Sequence, residues 1–168
     1  MIAETNVDET RKKMESAMTR AGRIAGFDLL IDAYLDGSIT EETFAQLLGP
    51  AWSDAEYPEG SFDRETWTRV FRRHGYRVNG VPAARPTTSV RLYRGATADG
   101  RAGMSWTDHL STARSFAYGQ LRGRPVGTVW TALVDPDRLL SRVTERSESE
   151  FIVDTDGLTI TMFDNLLT

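Results

Sequence analysis

The spacing of hydrophobic positions changes midway along the chain. From Val7 to about Tyr34, Met14, Met18, Ala21, Ala25, Leu29 and Ala33 recur at helical intervals, which predicts one helix or two. Asp8 can cap the start, and Gly22 and Gly26 mark a candidate break. Asp36-Gly37-Ser38 stops the pattern. Thr40 opens a second helix with Glu41 and Glu42 in its first turn, at the positive end of the helix dipole. Phe44, Leu47 and Leu48 form its apolar face, and Pro50 and Ser53–Ser61 are expected as loop. Ser61 or Asp63 can cap a third helix, with Trp67, Val70 and Phe71 as its buried stripe and Gly75 as its stop. Val78 to Pro86 contains Asn79-Gly80, Pro82 and Pro86, and predicts a connector with a turn.

Beyond the connector the period is two. Val90, Leu92 and Arg94 share one face of a strand, with Arg91 and Tyr93 on the other. Gly100 to Gly103 is a turn, and Met104-Ser105-Trp106 a short strand. A helix capped by Thr107 or Asp108 then runs to about Tyr118. Strands are expected at Gly127–Val134, Leu139–Val143, Glu150–Asp154 and Leu158–Phe163. Helices followed by strands predict an α+β domain, not an alternating βαβ sheet. A single domain over residues 1–168 is expected, helical to about residue 77 and mostly β from about residue 87, because neither half alone carries a comfortable core.

Composition narrows the chemistry. The formal charge of -4 argues against a general nucleic-acid binder. Two local basic groups stand out, Arg69-Arg72-Arg73-His74-Arg77 and Arg114-Arg122-Arg124, either of which can be a solvated face or a phosphate contact. With no cysteine, thiol nucleophiles and disulfides are excluded, and His74 and His109 do not have zinc-ligand spacing. No apolar stretch reaches the ~20 residues needed to span a bilayer. The polar, acidic N-terminus is unlike a secretory signal, so a cytoplasmic location is expected.

Three segments carry candidate chemistry. Arg94 ends a strand and is followed by Gly95, so its planar fork can meet a phosphate or form a surface ion pair, and Arg91 is the competing residue. Ser105 and Thr107 share one strand face, with Trp106 expected in the core. Glu148 and Glu150 share a face around Ser149. Two like charges there need a compensating cation or ligand, unless the strand is a solvent-facing edge with Phe151 and Val153 inward. Paired carboxylates also suit glycoside hydrolysis. Cleaving nicotinamide from ribose passes through a related oxocarbenium-like state, which a carboxylate can stabilise.

Tyr93-Arg94-Gly95, Ser105-Trp106-Thr107 and Glu148-Ser149-Glu150, in this order, resemble the ADP-ribosyltransferase family, in the branch with Arg, Ser-Thr-Ser and Glu-x-Glu on successive core strands. The middle segment departs from the pattern: only its first serine is unchanged. Met104 to Ala117 is also similar to phage and actinobacterial proteins with Ser-Trp-Thr ahead of a helix ending in Phe-Ala. The resemblance covers about Val90 to Asp154 and implies N-terminal helices followed by an ADP-ribosyltransferase-like split β-sheet core. It implies a mono-ADP-ribosyltransferase that binds NAD, with nicotinamide as leaving group. Arg94 would contact an NAD phosphate or ribose, flanked by Tyr93, Gly95 and Thr107. Phe116 would pack near nicotinamide, and Ser105 would orient Glu150, the main catalytic carboxylate. Glu148 would prepare an acceptor, by this resemblance an arginine side chain of a protein, and Arg138–Ser147 would form the acceptor loop. A binding or structural protein without turnover, phage-encoded and acting in host cytoplasm, and an NAD glycohydrolase are the alternatives on the same fold.

Overall fold

The computed structural model describes residues 2–118, 126–145 and 149–163, with side chains from residue 6 onward. Helix α1 spans Ile2–Leu35 and is broken at Gly22, whose φ of 89° is non-helical. The break lets the two halves approach so closely that a Cβ on Gly26 would lie 2.5 Å from the Met18 carbonyl oxygen. The helix begins before Asp8 because nothing in residues 2–7 interrupts it, and Asp8 pairs instead with Arg11 at 3.4 Å.

Helix α2, Glu41–Asp54, starts at Thr40, whose hydroxyl accepts from the Thr43 amide at 3.1 Å. It corrects the expected loop at Pro50, which lies inside the helix. An interior proline costs ~3 kcal/mol because it removes one backbone donor and crowds the preceding turn. Burial of Leu47, Leu48, Ala51 and Trp52 along one face offsets that cost. A 3-10 turn at Pro58–Gly60 leads to α3, Arg64–His74, capped by Asp63 through the Thr66 amide at 2.7 Å. Gly75 ends α3 with φ 73°.

The expected connector is a β-hairpin. Strands β1 (Arg77–Val78) and β2 (Val81–Pro82) flank Asn79 and Gly80, both at positive φ, the signature of a tight two-residue turn. Gly80 presses on α2: a Cβ there would lie 2.9 Å from the Gln46 carbonyl carbon. Arg77 bonds both carboxylate oxygens of Glu42, at 3.1 and 2.9 Å, and ties the hairpin to the same helix.

The remaining elements are β3 (Val90–Ala96), β4 (Ser105–Thr107), α4 (Leu110–Ala117), β5 (Thr128–Val134), β6 (Leu139–Val143), β7 (Glu150–Val153) and β8 (Thr161–Met162). Helix α4 follows His109, whose side chain makes no cap bond; neither Thr107 nor Asp108 is the cap residue. The last strand is two residues long, with Leu158 and Ile160 packed against the core from the loop before it.

The eight strands form one mixed sheet in the order β2-β1-β6-β7-β4-β3-β5-β8. Among the described residues only the β1–β6 pairing is parallel. The architecture is thus mixed α/β, with three helices ahead of the strands and α4 between β4 and β5. One sheet face contributes Met104, Leu140 and Ile152 to a core shared with Leu30, Phe44, Trp52, Trp67 and Phe71 of the helices. The other face buries Leu92, Trp106, Phe151 and Val153. Trp106 is therefore core, and β7 is an interior strand, which excludes the solvent-facing edge reading. Among the described residues no helix is long and apolar enough to cross a membrane.

Candidate active site

Three neighbouring strands, β7, β4 and β3, bring the sequence-selected segments together. Thr107 lies opposite Glu150 on one side and opposite Tyr93 on the other. Side chains directly opposite each other share a face, so Tyr93, Thr107 and Glu150 point the same way. Ser105, two residues from Thr107, joins them. These residues line a cavity of about 780 Å³ between the sheet, α4 and the segment that joins α2 to α3. Its size falls within the range of ~300–1,000 Å³ usual for small-molecule sites. Tyr93, Arg94, Gly95, Ser105, Thr107, Phe116 and Glu150 all line it. Glu148 lies outside the described residues.

Each position has a local cause. Gly95 faces α4, and a Cβ there would lie 2.5 Å from the Ala117 amide nitrogen and 2.9 Å from Phe116 Cβ. Glycine thus lets α4 settle on β3 and hold Phe116 and Thr112 at the cavity wall. Arg94 leaves the strand on the face opposite Tyr93, and its guanidinium donates to the Gly100 carbonyl at 2.9 Å and the Ser105 carbonyl at 2.7 Å. Gly103 packs against that guanidinium, with room for no side chain: a Cβ would lie 2.5 Å from Arg94 Cζ. A planar fork fixed on two carbonyls is a pre-oriented positive charge. Arg91, the competing arginine, is exposed and does not line the cavity.

Glu150 is held from behind. Its neighbour Ser149 is buried and accepts from Arg142 Nη2 at 3.1 Å. Arg142 also covers the Phe151 ring at 4.7 Å and lies 3.6 Å from Asp108. The alternation of β7 then sends Phe151 into the core and Glu150 to the cavity. The described residues that line the cavity include the acids Glu56, Glu59 and Glu150 and the arginines Arg23 and Arg94. Glu59 is itself engaged by Arg64 Nε at 3.1 Å and by the Met104 amide at 3.2 Å. Among the described residues no cluster of three His, Asp or Glu side chains is placed to hold a metal ion.

Ser105 lies opposite Ile152, one pair along from Glu150, and its Oγ accepts a hydrogen bond from Trp52 Nε1 at 2.9 Å. Thr107, directly opposite Glu150, has its Oγ1 accepting from the His109 amide at 3.1 Å. Of the stretch expected as an acceptor loop, residues 138–147, residues 139–143 form β6, paired between β1 and β7, and residues 146–147 lie outside the described residues. Three arginines of the first basic group are paired locally: Arg72 with Asp154, Arg73 with Glu41 and Arg77 with Glu42. Of the second, Arg122 and Arg124 lie outside the described residues.

The sequence reading missed the wall opposite the sheet. Trp52, Ser53, Ala55, Glu56, Tyr57 and Glu59 all line the cavity. The one signal for them was the aromatic and acidic content of a segment otherwise read as loop. Comparison of the chain with family models, with curated proteins and with solved structures finds no match.

Proposed function

We propose that the cavity binds NAD and transfers its ADP-ribose to an acceptor, releasing nicotinamide. The observation that carries this reading is the convergence of Arg94, Ser105 and Glu150, from three adjacent strands, on one cavity. The order of the segments along the chain suggested such a convergence but could not supply it.

The chemistry asks for few groups. The fixed Arg94 guanidinium suits a phosphate or ribose oxygen. Tyr93 and Phe116 offer aromatic surface for a flat ring. Glu150 supplies a carboxylate for the ribose and for the positive charge that develops as the bond between ribose and nicotinamide breaks. The bonding electrons leave with nicotinamide, the ribose carbon bonds to the acceptor nucleophile, and the nucleophile gives up its proton. The resemblance assigns that proton to Glu148. The acceptor is macromolecular in the transferase form of this reading and water in the glycohydrolase form.

Purified protein is incubated with NAD labelled in the adenylate part, with and without cell lysate. The expected result is nicotinamide release with label on a macromolecule, abolished by Glu150→Gln while the circular dichroism spectrum is unchanged. Release without labelling selects the glycohydrolase. NAD binding without release selects a binding protein, the alternative favoured by the departure of Ser-Trp-Thr from the family pattern. The absence of both binding and release refutes the NAD reading.

A further inference from the structure

Trp52 stands in the last turn of α2, and only 1 % of its surface is exposed. Its indole packs edge-on against Trp67 at 5.0 Å, Phe71 at 5.3 Å and Phe27 at 6.2 Å. Its only polar atom, Nε1, donates to Ser105 Oγ at 2.9 Å, a bond across 53 positions of sequence. An indole N–H donates and never accepts, whereas a serine hydroxyl has one proton and two lone pairs. The direction of this bond is therefore fixed: Ser105 accepts from Trp52, and its own proton remains for an acceptor. Ser105 and Glu150 are diagonal neighbours on paired strands and line the same cavity. Diagonal Cα atoms stand about 7–8 Å apart, within reach of a glutamate side chain.

We infer that Trp52 is a positioning residue of the site. By occupying the Ser105 oxygen as an acceptor, it turns the Ser105 O–H into a committed donor toward the Glu150 carboxylate. The N-terminal helical layer is then part of the site: the aromatic cluster that stabilises it also sets the hydroxyl that orients the carboxylate. The catalytic meaning of this arrangement rests on the NAD reading above. The arrangement of Trp52, Ser105 and Glu150 does not, so the two can fail separately.

Trp52→Phe keeps most of the ring packing and removes the N–H. Nicotinamide release is measured against pH for the wild type, Trp52→Phe, Ser105→Ala and the double variant. The expected result for Trp52→Phe is a loss in kcat of about tenfold, the scale of one hydrogen bond to a charged group. KM for NAD stays within about twofold, because the interaction acts at the carboxylate and not in uniform binding. The acid limb of the kcat profile moves to higher pH, because a donor to the ionised form is lost. In the Ser105→Ala background, Trp52→Phe costs nothing further in kcat. Equal losses in both backgrounds, or an unmoved acid limb, overturn the inference in favour of a merely structural tryptophan.

A second measurement does not need turnover. The Glu150 carboxyl carbon is titrated by NMR in the wild type and both single variants. The other described charged residues lining the cavity, Arg94 from β3, Arg23 from α1 and Glu56 and Glu59 from the α2–α3 segment, are the same in all three. An upward move in both variants supports the inference even in a protein that releases no nicotinamide, an outcome that refutes only the NAD reading. One titration midpoint common to all three proteins overturns it.

Discussion

Replacing Gly95 with alanine adds a single methyl group at the contact between β3 and α4. The new Cβ would overlap the Ala113 carbonyl oxygen and lie 2.5 Å from the Ala117 amide nitrogen. Both are backbone atoms, so no rotamer change relieves the clash, and α4 must retreat by about 1 Å to restore ordinary van der Waals separation. Overpacking of this kind costs about 1–3 kcal/mol, and the lack of a flexible neighbour puts Gly95→Ala at the upper end. For a domain of this size, about 3 kcal/mol lowers Tm by about 6–12 °C. Gly100→Ala is the internal control, because its Cβ would meet Ala96 Cβ at 3.5 Å and Thr97 Oγ1 at 3.6 Å, both ordinary contacts. That variant is expected to hold or gain stability, by up to about 1 kcal/mol, through reduced freedom of the unfolded chain. Thermal unfolding by circular dichroism compares the two. Because α4 carries Phe116 and Thr112 on the cavity wall, Gly95→Ala should also weaken ligand binding more than Gly100→Ala does. A Gly95→Ala protein that melts within about a degree of the wild type refutes the packing argument.

Two further predictions concern the helical layer. Burial pushes the His74 imidazole below its ordinary pKa, against an opposing pull from Glu41. The unfolded chain therefore takes up the proton first as pH falls through ~6.5, and stability declines on acidification. His74→Phe, which keeps an aromatic ring against Phe44, should flatten the fall in Tm between pH 7.5 and pH 5.5; an unchanged slope contradicts the assignment. At lower pH the decline continues, because the Arg77 guanidinium holds the Glu42 carboxyl below the usual carboxylate range and that stabilisation is lost as Glu42 is protonated. Thr40→Ala removes the oxygen that caps α2 and is expected to cost about 1 kcal/mol, or about 2–4 °C in Tm. Equal melting temperatures for this variant and the wild type would show that the cap contributes nothing.

Local signals in the sequence were strong where one residue type answers one geometric need. The change of period from helical to two placed Arg94, Ser105 and Glu150 on strands, whereas the glycine after Arg94, which suggests the close approach of a ligand, is where α4 packs. Asp63 and Gly75 bounded α3 as their capping chemistry suggests. What escaped the sequence depends on distant partners. Pro50 reads as a breaker until the burial of Trp52 beyond it is known. Asn79-Gly80 reads as a turn, but β1 finds its parallel partner β6 more than sixty residues later. The bond from Trp52 to Ser105 has no sequence signature, because it is made by two elements that meet only when helices and sheet share a core. Thr107 was placed on the right face, yet which of the two hydroxyls stands opposite Glu150 was decided by strand register, which alternation alone does not fix.

The order of strands in the sheet has a consequence for how the molecule comes to act. Strands β6 and β7, late in the chain, lie between β1–β2 on one side and β4-β3-β5-β8 on the other. Until residues 139–153 are in place, the two parts of the sheet share no hydrogen-bonded strand. Joining them means closing long loops before any pairing energy is returned, the kind of non-local pairing that slows folding. Glu150 arrives with that step, on the strand that seals the gap. A nascent or partly opened chain can present the arginine and the serine, but it has no carboxylate across from them. In the proposed reading, folding thereby acts as a safety catch: the carboxylate meets the arginine and the serine only once β7 has joined the two parts of the sheet.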